Sequence, residues 1–337
     1  MRQPFSEKRR MNLKKRIPEL DFIKGIAIIL VIIGHVISQV WNSDPAVYEN
    51  AFLFRLCYSF HMPLFAFVSG WICCATMKTD IHWLIKRIRR IALPYIIMTV
   101  FVFFLLRRNS ISQFIINTPY WYLIFIIIAD SIFFIGEKLG CRTITFGIIY
   151  CIILLMNWKV PLDISILRQL ADFLPFYYLG TFIPSYRKKT EKYGIPILML
   201  LGFVYIGIFP VYRHGISGQL EYFRNVFNTD KLSYAEAIFI IGMNKFIVPV
   251  CGIALVFLLT NTIYNMSITK KFRDALEIAG NHTLAVYLLH DLFFIRITGN
   301  NLADSIISVF TAFIIPLALS AVYNILKTKN NRDNLSK

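Results

Sequence analysis

The sequence predicts an all-α, polytopic integral membrane protein of about ten transmembrane helices with both termini cytosolic. Three observations predict it. Hydrophobic residues make up 57% of the 337 positions, and the mean hydropathy is +0.59, a composition that soluble domains do not have. Apolar runs long enough to cross a bilayer recur along the chain, centred near 20–41, 54–76, 91–106, 119–136, 143–158, 169–185, 194–211, 237–265, 277–297 and 303–326. Lys and Arg alternate between the segments that join these runs: with the N-terminus inside, 25 of the 36 fall in cytosolic segments and 9 in outer ones, the positive-inside pattern.

The organisation follows from these runs. Residues 1–19 form a basic cytosolic segment, 20–326 the transmembrane domain and 327–337 a cytosolic tail. The first run is too long for the apolar core of a secretory signal and no small-x-small cleavage site follows it, so it reads as an uncleaved span. The eighth run contains Lys245 and Pro249 and is expected to kink or break. The outer segment 212–236 is polar and aromatic, suited to a lid or an acceptor-contact loop. A formal charge of +17 is met by cytosolic loops and anionic lipid and calls for no nucleic acid. The six cysteines mostly lie inside apolar runs without metal spacing, as buried thiols do.

Candidate chemistry begins with ionisable groups where they are costly. The first span, LDFIKGIAIILVIIGHVISQVW, carries Asp21, Lys24 and His35, and charges inside a span default to function. Lys24 and His35 are eleven residues apart, about three turns, and share a face. Asp21 lies within pairing distance of Lys24 but too far along the helix for His35. Counting along the spans places His35, His61 in SFHMPLFAFVSG and His290 in NHTLAVYLLH at one depth in the outer half of the membrane, the pattern of a shared polar cavity. Three histidines are a zinc donor set in kind, but no close-spaced ligand pair is present, and no metal is expected. At the cytosolic side, KRIRRIALPY sets Arg87 and Arg90 one turn apart before the third span. Guanidinium pairs suit phosphate, although the positive-inside rule alone accounts for the cluster. Trp121 and Tyr122 open the fourth span where aromatics anchor helices at the interface. Lys245 is expected to snorkel or to pair with Glu236, and His82 and His214 to be solvated in loops.

These residues resemble the integral-membrane acyltransferase-3 family, in particular its fucose 4-O-acetylase-like branch. The resemblance rests on LDFIKGIAIILVIIGHV, FHMPLFAFVSGW, RIRRIALPY, WYL and AGNHTLAVYLLH, which occur in family order over most of the chain. Lys24 stands where the family often has Arg, which removes the bidentate fork. The resemblance implies transfer of an acyl group, usually acetyl, from cytosolic acyl-CoA to a hydroxyl of an extracytoplasmic or lipid-linked cell-surface sugar, in the bacterial inner membrane. It implies His35, His61, His290, Lys24 and Asp21 as the catalytic set, Arg87 and Arg90 as contacts to the donor's phosphates, and Trp121 and Tyr122 as substrate contacts. A transporter or flippase for a glycan or lipid is the rival reading, since intramembrane Lys and His also line substrate pathways.

Overall fold

The computed structural model describes residues 17–42, 44–78, 80–105, 120–159, 165–264, 266 and 270–335. The N-terminal basic segment up to Arg16 and the end of the tail lie outside them. The described residues form helices and no strand. In chain order these are α1 (Pro18–Val36), α2 (Pro45–Tyr48), α3 (Phe52–Thr76), α4 (Ile81–Leu105), α5 (Trp121–Lys138), α6 (Arg142–Lys159) and α7 (Ser165–Gly180). They continue with α8 (Ile183–Ile208), α9 (Ile216–Phe227), α10 (Tyr234–Gly242), α11 (Val248–Tyr264), α12 (Lys270–Asn281), α13 (Thr283–Leu289) and α14 (Asn301–Leu335).

Among the described residues, six segments are long and apolar enough to span a membrane: Pro18–Trp41, Phe52–Thr76, Ile81–Leu105, Gly194–Val211, Ala235–Tyr264 and Asn301–Asn324. The chain is a multi-pass membrane protein. Leu93, Ile96, Ile97, Val100, Phe101 and Phe104 on α4, and Ile306, Phe310 and Ile314 on α14, are exposed, as lipid-facing side chains must be when helices satisfy their own backbone.

Three differences from the expected spans matter. The run 277–297 is not one helix: α12 ends at Asn281, α13 runs only to Leu289, and His290–Phe293 is a 3-10 turn. The expected break in the eighth run is a π segment, Met243–Ile247, that begins before Pro249. The basic cluster expected ahead of the third span lies inside α4.

The chain divides into two compact units, residues 65–191 and residues 17–64 with 192–337. In the second unit α1 is the central element. It buries Phe22, Ile23, Ala27, Ile28, Val31 and Ile32 and packs against α11, α12, α13 and α14. Its contact with α12 is backbone to backbone. A Cβ on Gly25 would strike the Leu276 carbonyl, and one on Gly280 would strike the Asp21 carbonyl. Glycine at both crossing points lets the helices approach as small residues do at membrane interfaces.

In the unit formed by residues 65–191, α5 packs on α4, α6 and α7. Its core buries Phe125, Phe133, Leu174 and Phe176 around one carboxylate, Asp130.

Candidate active site

The unit containing α1 brings together a His–His–Asp cluster. α1 ends at Val36 and passes into a π segment, Ile37–Trp41. Such widened turns recur at functional sites because they redirect side chains out of helical register. His35 sits one residue before this change. Gly34 beside it leaves room for the Tyr58 ring, which would lie 2.8 Å from a Cβ there. In this way α3 presses an aromatic against α1 at the level of His35.

His290 arrives from the other broken helix. Its ring meets that of His35 edge to face, with centroids 5.2 Å apart. Its Nδ1 donates to the carbonyls of Tyr287 at 2.8 Å and Val286 at 3.2 Å. That fixes the neutral ring as the Nδ1–H tautomer and leaves a lone pair on Nε2. Nε2 faces Asp291 Oδ1 at 3.2 Å, yet both atoms are buried without a hydrogen-bond partner. The same Oδ1 lies 3.9 Å from His35 Nδ1. His35 and Asp291 retain about a third of their side-chain exposure, at 33% and 31%, whereas His290 is 3% exposed. The cluster thus has one closed side and one open side.

Gln39 Nε2 lies 3.2 Å from His35 Nδ1. With the amide turned, its oxygen accepts from an Nδ1–H instead. Together with the carboxylate, that orientation places the ring proton on Nδ1 and the free lone pair on Nε2.

His61 is buried on α3 and donates from Nδ1 to the Cys57 carbonyl at 2.6 Å. It stands beside Tyr58, with ring centroids 4.8 Å apart, and within electrostatic range of His35. His214, expected in solvent, instead packs edge-on against Tyr58 at 4.9 Å and Phe54 at 5.2 Å. Burial lowers its pKa from 6.5, and its Nδ1 is buried without a partner. It is held there because the segment after α8 is pinned: buried Gln219 accepts from Arg213 N at 2.6 Å and donates to the Val211 carbonyl at 2.8 Å.

The other end of the polar stripe is separate. Lys24 Nζ meets Asp21 Oδ1 at 2.7 Å, the pairing expected from their spacing. Glu236, the candidate partner of Lys245, closes a capping box with Ser233 at the start of α10.

The remaining expected site residues belong to the 65–191 unit. Arg87 is engaged by a buried carboxylate. Its Nε donates to Asp130 Oδ2 at 2.5 Å and its Nη2 to Oδ1 at 3.1 Å. Tyr177 donates to the same Oδ1 at 2.5 Å, and the guanidinium lies 5.6 Å over the Trp83 ring. Arg90, one turn on, is exposed. The two arginines therefore do not present equivalent free guanidinium groups. Trp121 stacks on Phe173 with centroids 5.4 Å apart, and buried Tyr122 is hydrogen-bonded to Ser69 at 3.0 Å.

Three residues of these clusters escape a reading by motif. Asp291 directly follows His290, and Asp130 is a lone carboxylate inside FIIIADSIFF. Both carried a usable signal, an acid in an apolar run. Tyr177 carried none.

A family model described as an acyltransferase domain matches residues 17–325. The chain belongs to the acyltransferase-3 family. That agrees with the enzyme class the five motifs imply. Among curated proteins, it is similar to nodulation protein NolL of Sinorhizobium fredii (strain NBRC 101917 / NGR234), at 40% identity over 57 residues, 17% of this chain and 16% of the relative. It is also similar to nodulation protein NolL of Mesorhizobium japonicum (strain LMG 29417 / CECT 9101 / MAFF 303099), at 42% identity over 52 residues, 15% of this chain and 14% of the relative. The matched stretch is thus about a sixth of the first relative's length and a seventh of the second's. No solved structure matches the chain.

Proposed function

We propose that this acyltransferase moves an acyl group, acetyl first among them, from cytosolic acyl-CoA to a hydroxyl of an extracytoplasmic or lipid-linked cell-surface sugar. It does so from the bacterial inner membrane, with the domain 20–326 as the working unit. The observation that carries the reading is the open-sided cluster of His35, His290 and Asp291, set at two helix breaks in a chain of this family.

His35 acts as general base. With Nδ1–H turned to Asp291 and Gln39, the Nε2 lone pair takes the proton of the acceptor hydroxyl as its oxygen attacks the thioester carbonyl. The tetrahedral intermediate collapses with rupture of the C–S bond, and the proton passes from the imidazolium to the leaving thiolate. Asp291 stabilises the imidazolium in the way a buried carboxylate does in a hydrolytic triad. The same nitrogen can instead take the acyl group first and hand it on to the hydroxyl. His61 and His290 stand close enough to orient the acceptor or to face the developing oxyanion.

Lys24, held by Asp21, helps place the donor. Arg90 and Arg87 take the donor's phosphates. A guanidinium has five N–H groups, and Asp130 uses two of those on Arg87, so the remainder serve a phosphate while the carboxylate holds the group in place. Trp121 and Tyr122 serve substrate contact from α5.

The test is acyl transfer in membranes carrying the full-length chain. Labelled acetyl-CoA is supplied and the surface glycan is analysed by mass spectrometry, with and without the protein. A CoA-dependent mass increment of one acetyl group on a sugar fragment supports the reading and names the acceptor. Glycan movement that proceeds without any acyl donor contradicts it.

A further inference from the structure

We infer that His35, His290 and Asp291 form an inhibitory site for a divalent transition-metal ion of the zinc type. The inference rests on the general-base reading of His35 and concerns the regulation of that same site.

Two acceptors face each other in this cluster. The backbone carbonyls of Tyr287 and Val286 hold the proton of His290 on Nδ1. Nε2 therefore offers a lone pair, and so does the Asp291 oxygen 3.2 Å away. Neither has a hydrogen-bond partner, and both are buried. Two acceptors in contact repel unless something positive lies between them. A proton or a metal cation held between the two atoms meets that need.

The donor set favours a cation. The ligand atoms of His35, His290 and Asp291 all lie within 4.8 Å of one another. Two imidazoles and one carboxylate, with a fourth position open, are a recurrent zinc donor set. Zinc–ligand bonds of about 2.0–2.2 Å put neighbouring donors of a tetrahedron roughly 3.3 Å apart. The His290–Asp291 separation of 3.2 Å already matches. The His35–Asp291 separation of 3.9 Å needs closure by about half an ångström. His35 and Asp291 keep an open side through which an ion enters. The hydrogen bonds that His290 Nδ1 donates to the backbone carbonyls of Tyr287 and Val286 are the outer support that orients such ligands.

Occupancy explains why the ion inhibits. A metal on His35 Nδ1 displaces the Gln39 contact and moves the ring proton to Nε2. The nitrogen that would accept the sugar hydroxyl's proton then carries an N–H and has no lone pair. Asp291, spent on the metal, no longer faces an imidazolium.

The experiment uses the full-length chain in lipid nanodiscs, stripped with chelator. Zn2+ is titrated and bound metal is counted after gel filtration, while Co2+ is followed by its visible absorption. About one equivalent is expected. His290→Ala and Asp291→Ala should each weaken binding roughly tenfold or more, and His61→Ala should leave it in place. Acyl transfer by the unsubstituted chain should fall on loading and return with chelator. Should a substituted chain fail to fold, protection of His35 and His290 from diethyl pyrocarbonate by Zn2+, read by peptide mass spectrometry on the unsubstituted chain, decides the same point. No stoichiometric binding, or no protection, overturns the site. Binding that leaves transfer unchanged or raises it overturns inhibition. Because the metal count needs no activity, loss of the acyl-transfer reading and loss of the metal site are separately visible.

Discussion

Asp291 Oδ1 lies 3.9 Å from His35 Nδ1 and 3.2 Å from His290 Nε2, so one carboxylate serves two imidazoles that come from helices far apart in the sequence. The arrangement makes Asp291 a positioning group. Asp291→Asn keeps the shape and removes the charge. We expect the rate to fall by about tenfold or more, with the acid limb of the remaining activity shifted to lower pH, because an imidazolium without its counter-charge gives up its proton more readily and the base form persists. A pH–rate profile checks this. A uniform loss at every pH points to a packing role only.

Arg87 and Asp130 form a buried pair completed by Tyr177. Breaking such a pair from one side strands a charge and costs about 3–5 kcal/mol. Asp130→Ala should therefore lower the thermal midpoint sharply. The double replacement Arg87→Met with Asp130→Leu should recover much of it. If the single and double variants melt alike, the pair is not what holds that unit.

Gly280 crosses α1 at the Asp21 carbonyl. Gly280→Ala puts a methyl group where backbone stands, and neither helix can retreat without losing its packing. Overpacking of this kind costs about 1–3 kcal/mol or more. It should also displace the Asp21–Lys24 pair, so that donor KM rises before kcat falls. Thermal shift and steady-state kinetics read the two effects apart.

His214 gives a pH prediction. Burial among Phe54 and Tyr58 lowers its pKa from 6.5. The unfolded chain then binds this proton more readily than the folded one, so stability is present above pH 6.5 and is lost as the pH falls toward the folded pKa. His214→Gln, which cannot titrate, should flatten that decline. Melting curves from neutral to mildly acidic pH test it, and an unchanged slope would rule His214 out as its source.

Much of this was legible beforehand for a physical reason. An all-α, membrane-spanning chain depends on composition, which a window reads well. The depth count along helical rises placed His35 and His290 together, and their rings are in contact. The Asp21–Lys24 pair follows from spacing within one helix. What escaped depends on tertiary chemistry. The break after Asn281 lies in NHTLAVYLLHDLFF, which contains no Gly or Pro. At the break His282 Nδ1 meets the Ser320 hydroxyl at 2.7 Å, thirty-eight residues away, and at the end of the next helix the His290 ring takes the Tyr287 carbonyl. The Arg87–Asp130 pair was not legible because the carboxylate lies forty-three residues away on another helix. His214 read as solvated because a polar stretch gives no sign that Gln219 pins it inward.

The central claim is that His35 carries the proton or the acyl group during transfer. It is tested most directly by acetyl transfer from labelled acetyl-CoA in membranes carrying His35→Ala at wild-type abundance and with a wild-type melting profile. The account predicts a loss of roughly 10²–10⁴-fold. A folded His35→Ala chain that transfers acetyl at the wild-type rate would contradict it.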